Sequence, residues 1–266
     1  MASPHRFKLG KRIGGGAFGE IYEATDSSGD PVAVKLEAVD CEYPQLQYES
    51  RVYNELRLVD GIPRLLYSGT EGEFNVMVIE RLGPDLESVL ESKPKKHLSP
   101  TSTQRIGVRA LHILEAFHNH GFVHRDIKPD NFLLGLNDDT KLYLIDFGLS
   151  KYVRDSVGKH IVPNNNKRLT GTPRYASISN HKGRDQGRKD DLESLGFVLL
   201  YLLKGSLPWQ DVSTDFDKIM EMKQSMLRSD ELFRSAPSWI KSYFKYISTL
   251  NFSDRPNYTH MRTLLS

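Results

Sequence analysis

The feature that most constrains this chain is a change of hydrophobic period at RLGPD, Arg81 to Asp85. Before it, apolar and polar residues alternate in short runs, FKLGKRI, GEIYEAT, PVAVKLEA, RLLYSGT and FNVMVIE, separated by Gly-, Pro- and Asp-rich turns. Successive side chains of a strand point to opposite faces, so this period predicts strands. One helical run, QLQYESRVYNELRLV, interrupts them. Beyond the junction the apolar residues recur every three or four positions. In RIGVRALHILEAFHNHG, Ile106, Ala110, Ile113, Leu114 and Phe117 share one helical face, and Gly121 stands where a helix stops. DLESLGFVLLYLLKG is apolar on nearly every side, which predicts a helix buried within its own lobe, and SWIKSYFKYISTL is a further helical segment. The pattern predicts an α+β chain: a small β-rich N-terminal lobe, residues 1–82, and a larger, mainly helical C-terminal lobe, residues 83–266. Clefts between lobes are favoured places for ligands.

Charge and cysteine usage narrow the partners. Lys plus Arg number 36 against 34 for Asp plus Glu, so no global field attracts nucleic acid or an anionic membrane. No apolar run approaches the roughly 20 residues of a membrane span, and MASPHRFKLGKR lacks the apolar core of a signal peptide. Cys41 is the only cysteine, which excludes an internal disulfide. The expected setting is the cytoplasm or nucleus; the oligomeric state is left open.

Chemistry concentrates in four segments. GGGAFGEIY carries Gly14, Gly16 and Gly19 in a G-x-G-x-x-G array, where backbone amides can approach phosphate oxygens unobstructed. A dinucleotide fold needs such glycines to lead into a helix. Here EIYEAT alternates like a strand, which predicts a hairpin folded over phosphates. VAVK supplies Lys35. Its expected partner is Glu49, which lies on the apolar stripe Leu46, Glu49, Tyr53, Leu56 of its helix; Glu42 precedes Pro44, and Glu55 falls off the stripe. An inward carboxylate is costly unless a cation meets it. HRDIKPDN, His124 to Asn131, sets Asp126, Lys128 and Asn131 close together, and KLYLIDFG reads as a strand ending at Asp146, Phe147 and Gly148. Asn131 and Asp146 are hard oxygen donors suited to magnesium, which keeps substrate phosphates among its ligands. Asp126 would take the proton of an incoming hydroxyl, and Lys128 would sit where a transferred phosphoryl group gathers charge. The histidines, His118 and His120 among them, have no cysteine or carboxylate at metal spacing and read as structural or surface groups.

This ordered set resembles the eukaryotic protein kinase superfamily over nearly the whole chain. Lysine two residues after Asp126, together with GTPRY, is similar to the serine/threonine class. NVMVIERLGPDLESVL, LTGTPRYASIS, RKDDLESLGFVLLYLLKGSLPWQ and NFSDRPNY are similar to the casein kinase 1 family, which carries Ser-Ile-Asn where most kinases have Ala-Pro-Glu; this chain has Ser177-Ile178-Ser179. The resemblance implies the two-lobed protein kinase fold with ATP and magnesium between the lobes. Adenine would bond to the backbone around Glu80 and Leu82, walled by Ile13, Ile21, Ala33, Ile79, Leu133 and Ile145. It also implies that Thr172 steadies Asp126 and Lys128, that Asp191 holds the catalytic loop's backbone, and that His124 braces that loop. Substrates would be proteins acidic or already phosphorylated upstream of the target, read in part by Arg174.

One segment departs from the family. The lysine expected to join Arg174 should lie beyond SLPWQ in a basic stretch, yet DVSTDFDKIMEMK brings Asp211, Asp215 and Asp217. The expectation is a reduced preference for primed substrates, unless Lys218 or Lys223 folds back. Two other classes remain: a pseudokinase acting as a binding scaffold, and a small-molecule phosphotransferase, against which GTPRY and the long activation segment argue.

Overall fold

The computed structural model describes residues 7–16, 19–212 and 214–266. Residues 1–6, which open the stretch read against a signal peptide, Ala17 and Phe18 within the glycine array, and Ser213 in the acidic segment lie outside the described residues. The chain forms two compact units. One runs up to Pro84 and includes Leu133–Gly148; the other comprises Asp85–Phe132 and Leu149–Ser266.

In the first unit, β1 (Phe7–Gly16), β2 (Gly19–Asp26), β3 (Pro31–Ala38), β4 (Leu65–Glu71) and β5 (Phe74–Glu80) form an antiparallel sheet in the order β1-β2-β3-β5-β4. The alternation of β3 sorts its side chains. Val32 and Val34 enter an apolar cluster with Ala24, Val76 and Val78, against which Leu36 packs, and the pleat sends Ala33, Lys35 and Glu37 to the other face. Helix α1 (Leu46–Glu55) buries Leu46, Glu49, Val52 and Tyr53. Its start is fixed from the sheet, because the buried Glu37 carboxylate accepts the Gln45 and Leu46 amides at 2.7 and 3.0 Å. Those amides would otherwise lack partners, and a negative charge there suits the helix dipole. The expected helix ran on to Val59; the chain instead turns after Glu55, with Val59 N bonded to Leu56 O.

The hairpin of β7 (Phe132–Leu134) and β8 (Leu142–Leu144) lies in the part of the sequence assigned to the C-terminal lobe, yet Leu133–Gly148 groups with the first unit. Backbone bonds explain why: Gly83 N to Leu134 O (2.9 Å), Leu134 N to Pro84 O (3.0 Å) and Leu144 N to Gly61 O (2.8 Å). The strand expected to reach Asp146 stops at Leu144, and Asp146 has left-handed backbone, φ 67°. Aspartate tolerates that conformation better than most residues.

The second unit is helical: α2 (Leu86–Glu91), α3 (Pro100–Asn119), α4 (Ile178–His181), α5 (Arg188–Lys204), α6 (Phe216–Arg228), α7 (Ser238–Ile247) and α8 (Tyr258–Leu264), with a small pair of strands, β6 (Phe122–Val123) and β9 (Lys151–Tyr152). Helix α3 begins at a Ser99 cap with Pro100 in its first turn. α5 packs against α3 and α7 and is buried from Asp190 to Leu202, as its uninterrupted apolar run predicts. Burying each such leucine contributes about 1.5–3 kcal/mol. Three carboxylates of α5, Asp190, Asp191 and Glu193, go inside with it, and each has a partner described below. Among the described residues no helix is long and apolar enough to cross a membrane.

Candidate active site

The residues expected to carry the chemistry fall into two groups, one in each unit. In the first unit the register opposes Ile21 to both Gly14 and Lys35, Lys35 to Met77 and Ala33 to Ile79. Ile21, Ala33, Lys35 and Ile79 therefore share one face of the sheet. Gly16 pairs with Gly19 across the hairpin. Gly19 has φ 131°, and a Cβ there would collide with the Leu36 carbonyl, so glycine is required for β2 to close on β3. Leu82 is buried and Ile13 exposed; Leu133, Ile145 and Glu80 are half-buried, with the Glu80 carboxylate accepting the Arg64 amide at 2.8 Å.

The Lys35 ammonium lies 2.7 Å from Glu49 Oε2 and 3.1 Å from Asp146 Oδ1. Burial alone would lower its pKa, but the two carboxylates outweigh burial and raise it above the ordinary lysine range. Glu49 is itself pushed up by burial and pulled back by Lys35. One face of α1 fixes both ends of this arrangement. One turn beyond Glu49, the Tyr53 ring meets Phe147 with centroids 4.5 Å apart, and both rings are buried. With Phe147 seated, Asp146 is held beside Lys35 while 37% of its side chain stays exposed.

In the second unit the segment His124–Asn131 hangs from α5. Asp191 accepts the His124 and Arg125 amides at 2.7 and 2.9 Å, and its Oδ2 meets His118 Nε2 at 2.8 Å. Burial would raise its pKa; His118 and His124 hold it below the usual carboxylate value. His118 is bonded on its other ring nitrogen to the Tyr258 hydroxyl, so α3, α5 and α8 together orient the loop's anchor. The buried His124 ring lies beside Phe117, and its Nδ1 faces the Asp126 amide at 3.2 Å.

Asp126 is 7% exposed. Its Oδ1 accepts the amide and hydroxyl of Thr172 at 2.8 and 2.7 Å, and its Oδ2 lies 2.9 Å from Lys128 Nζ. Thr172 can approach this closely because Gly171, at φ 86°, precedes it; a Cβ there would strike the Arg125 carbonyl. The Asn131 amide nitrogen donates to the Asp126 carbonyl at 2.9 Å, which leaves its side-chain oxygen as the group able to face a cation. Among the described residues no cluster of three His, Cys, Asp or Glu side chains forms a metal site. Magnesium does not need one, since it takes one or two protein oxygens and completes its shell with water and phosphate; Asn131 and the part-exposed Asp146 are oxygen donors of the right kind.

The segment after Thr172 is fastened from below. Trp209 Nε1 donates to Arg174 O at 2.8 Å, Ser177 donates to Asp190 at 2.7 Å, and Glu193 accepts the Ile178 amide at 3.0 Å. Lys223 does fold back, but inward. Its fully buried ammonium donates to Pro173 O and Ala176 O at 2.8 and 2.7 Å, and lies 4.8 Å from the Phe197 ring centroid. Lys218 stays exposed on α6, and Asp215 caps that helix by accepting the Lys218 amide. Arg174 is half-buried, its guanidinium 5.9 Å over the Tyr175 ring.

Sequence reasoning missed Glu37, Gly171, the anchoring part of His118 and the inward turn of Lys223. For the last two a signal was present: His118 follows Leu114 by four residues and Lys223 follows Ile219 by four, each on the buried stripe of its helix. A family model for the protein kinase domain matches residues 7–264.

Proposed function

The chain belongs to the protein kinase family, and on that premise we propose that it is a serine/threonine kinase of the casein kinase 1 type, acting on proteins with ATP and magnesium. The observation that carries the reading is Asp126, a buried carboxylate with one oxygen fixed by Thr172 and the other beside Lys128. Such a carboxylate aligns a substrate hydroxyl and accepts its proton at Oδ2 as the hydroxyl oxygen bonds to the γ-phosphorus and ADP departs. Lys128 carries positive charge for the transferred group. Lys35, held in place by Glu49, engages the nucleotide's phosphates. Asn131 and Asp146 are the residues that would hold magnesium, which would neutralise phosphate charge. The adenine rests among Ile13, Ile21, Ala33, Ile79, Leu82, Leu133 and Ile145.

Its substrates are proteins acidic or phosphorylated upstream of the target, with Arg174 reading the anion. Phosphate earns little advantage over aspartate at that position. Lys223, a candidate second cation, commits its ammonium to the Pro173 and Ala176 carbonyls, and Asp211, Asp215 and Asp217 are exposed along the segment leading into α6.

Transfer from ATP to matched peptides tests this reading. Three would carry phosphoserine, aspartate or a neutral residue three positions before an acceptor serine, and a fourth would have tyrosine as acceptor. The expected result is similar turnover of the primed and acidic peptides, less of the neutral one, and none of the tyrosine peptide. A large primed advantage would contradict the account of Lys223. Absence of transfer to any peptide would favour a binding scaffold.

A further inference from the structure

Outside the candidate active site, three arginines of the second unit converge with no acid among them. Arg154, which follows β9, donates to the Asn119 carbonyl at 3.1 Å, and Arg255, which precedes α8, donates to the side-chain oxygen of the same Asn119 at 3.2 Å. Arg188, in the first turn of α5, donates to the Asp254 carbonyl at 3.3 Å, one residue before Arg255. All three guanidinium groups are thus tied to neutral oxygens within one patch, and among the described residues none lies within ion-pair distance of a carboxylate. The acids nearest in sequence are engaged elsewhere: Asp254 with Asn251, Asp155 with its own turn, Asp190 with Ser177 and Gly187, and Asp191 with the catalytic loop. Arg188 registers the crowding: burial lowers its pKa, and Arg154 and Arg255 lower it further.

We propose that Arg154, Arg188 and Arg255 form a binding site for a phosphate monoester dianion, either free or carried on a phosphorylated peptide. Each guanidinium presents a planar fork of donors, of which the bonds above occupy one nitrogen. Three like charges held together repel one another, and a doubly charged oxyanion with three acceptor oxygens relieves that repulsion while using the remaining donors. The first turn of the 17-residue helix α5 adds a positive end of the helix dipole at Arg188. A bound phosphate would tie the segment after β9 to the helix whose Asp191 carries the catalytic loop.

The test is binding of inorganic phosphate, and of a phosphoserine peptide beside its unphosphorylated form, by titration at fixed ionic strength with chloride as the reference. The full chain is compared with Arg188→Gln/Arg255→Gln and with a charge-matched control, Lys93→Gln/Lys95→Gln. The control residues are exposed, on the loop against Gly205 at the far end of α5, about 24 Å away by the helix rise. Thermal melting without phosphate checks that both variants fold. The expected result is phosphate binding that the control retains and the arginine variant weakens at least about tenfold, or about 1.4 kcal/mol. Tighter binding of the phosphopeptide than of phosphate identifies a protein-borne ligand; equal affinities identify the free ion. Unchanged affinity in a folded arginine variant, or no phosphate binding by the native chain, would overturn the proposal. So would displacement of phosphate by a diester-only oligonucleotide at lower phosphate concentration.

Discussion

Lys35 in the first unit and Lys223 in the second are both drawn out of solvent, yet the two regions treat the same ammonium in opposite ways. Around Lys35 stand two carboxylates, Glu49 and Asp146, and they raise its pKa against the pull of burial. Around Lys223 stand two backbone carbonyls and the rings of Phe197 and Trp209, and burial lowers its pKa to about 7, with the nearby charge of Glu193 only partly opposing. The first arrangement keeps a permanent cation, as the proposed contact with a nucleotide phosphate requires. The second makes a peg whose N–H groups matter more than its charge: a neutral amine still has two N–H groups for two carbonyls. The lesson is that burial alone does not assign a lysine; the groups facing it do.

Breaking the first arrangement should have the larger effect. Lys35→Met removes the cation proposed to engage the nucleotide and should lower phosphoryl transfer by about 10²-fold or more. It also leaves Glu49 buried without its cation, a loss of about 3 kcal/mol or more in a denaturant titration. The double variant Lys35→Met/Glu49→Leu should recover stability without recovering transfer. Recovery of both would mean that the pair only supports the fold.

Lys223→Met should be milder. It strands the Pro173 and Ala176 carbonyls, a cost of about 1–3 kcal/mol, while the thioether still packs against the rings. Because those carbonyls belong to the segment following Thr172, the peptide KM should rise about tenfold with the ATP KM unchanged. Equal loss in both constants would point to a general loss of structure.

Lys223 should also give the stability a pH dependence. The lysine pKa is about 7 in the folded chain and about 10.4 unfolded, so between those values the unfolded chain holds the proton and the folded chain does not. Stability from this group therefore increases as pH rises from about 7 to about 10. Two titratable groups face Lys223, His181 of α4 and Glu193 of α5. His181 is lowered to about 4, by burial first and then by Lys223, and so stays neutral in this window. Glu193 is raised to about 7 by burial and acts in the opposite sense on the acid side, losing stability as pH rises from about 4.5 to about 7. Stability of the native chain minus that of Lys223→Met, followed from pH 7 to 10, should climb. A flat difference would show that the lysine is already charged, or already neutral, in both states.

Much of this was legible in the chain itself, and the gaps have physical causes. Strands β1 to β5 and helices α1, α3, α5 and α7 carry enough residues to display a period. β8 lies within the strand read from KLYLIDFG, though it is shorter than expected, whereas β6 and β9 have two residues each and β7 three, too few to alternate. Glu49 was found because an acid on an apolar stripe demands a cation. Glu37 was not, since a strand carboxylate that caps a helix beginning nine residues later leaves no local mark. Asp126, Lys128, Asn131 and Asp146 stood out through their spacing. The Arg154, Arg188 and Arg255 cluster could not, because only the packing around α5 gathers residues so far apart in sequence.

The proposed function rests on Asp126 serving the transfer step and not the binding of the nucleotide. The direct measurement is phosphoryl transfer from ATP to a serine peptide by the native chain and by Asp126→Asn, with nucleotide affinity measured on the same samples. The predicted result is a loss of transfer of about 10²–10⁴-fold with nucleotide affinity unchanged. Transfer that survives in Asp126→Asn at the native rate, or that is missing from the native chain, would contradict the account.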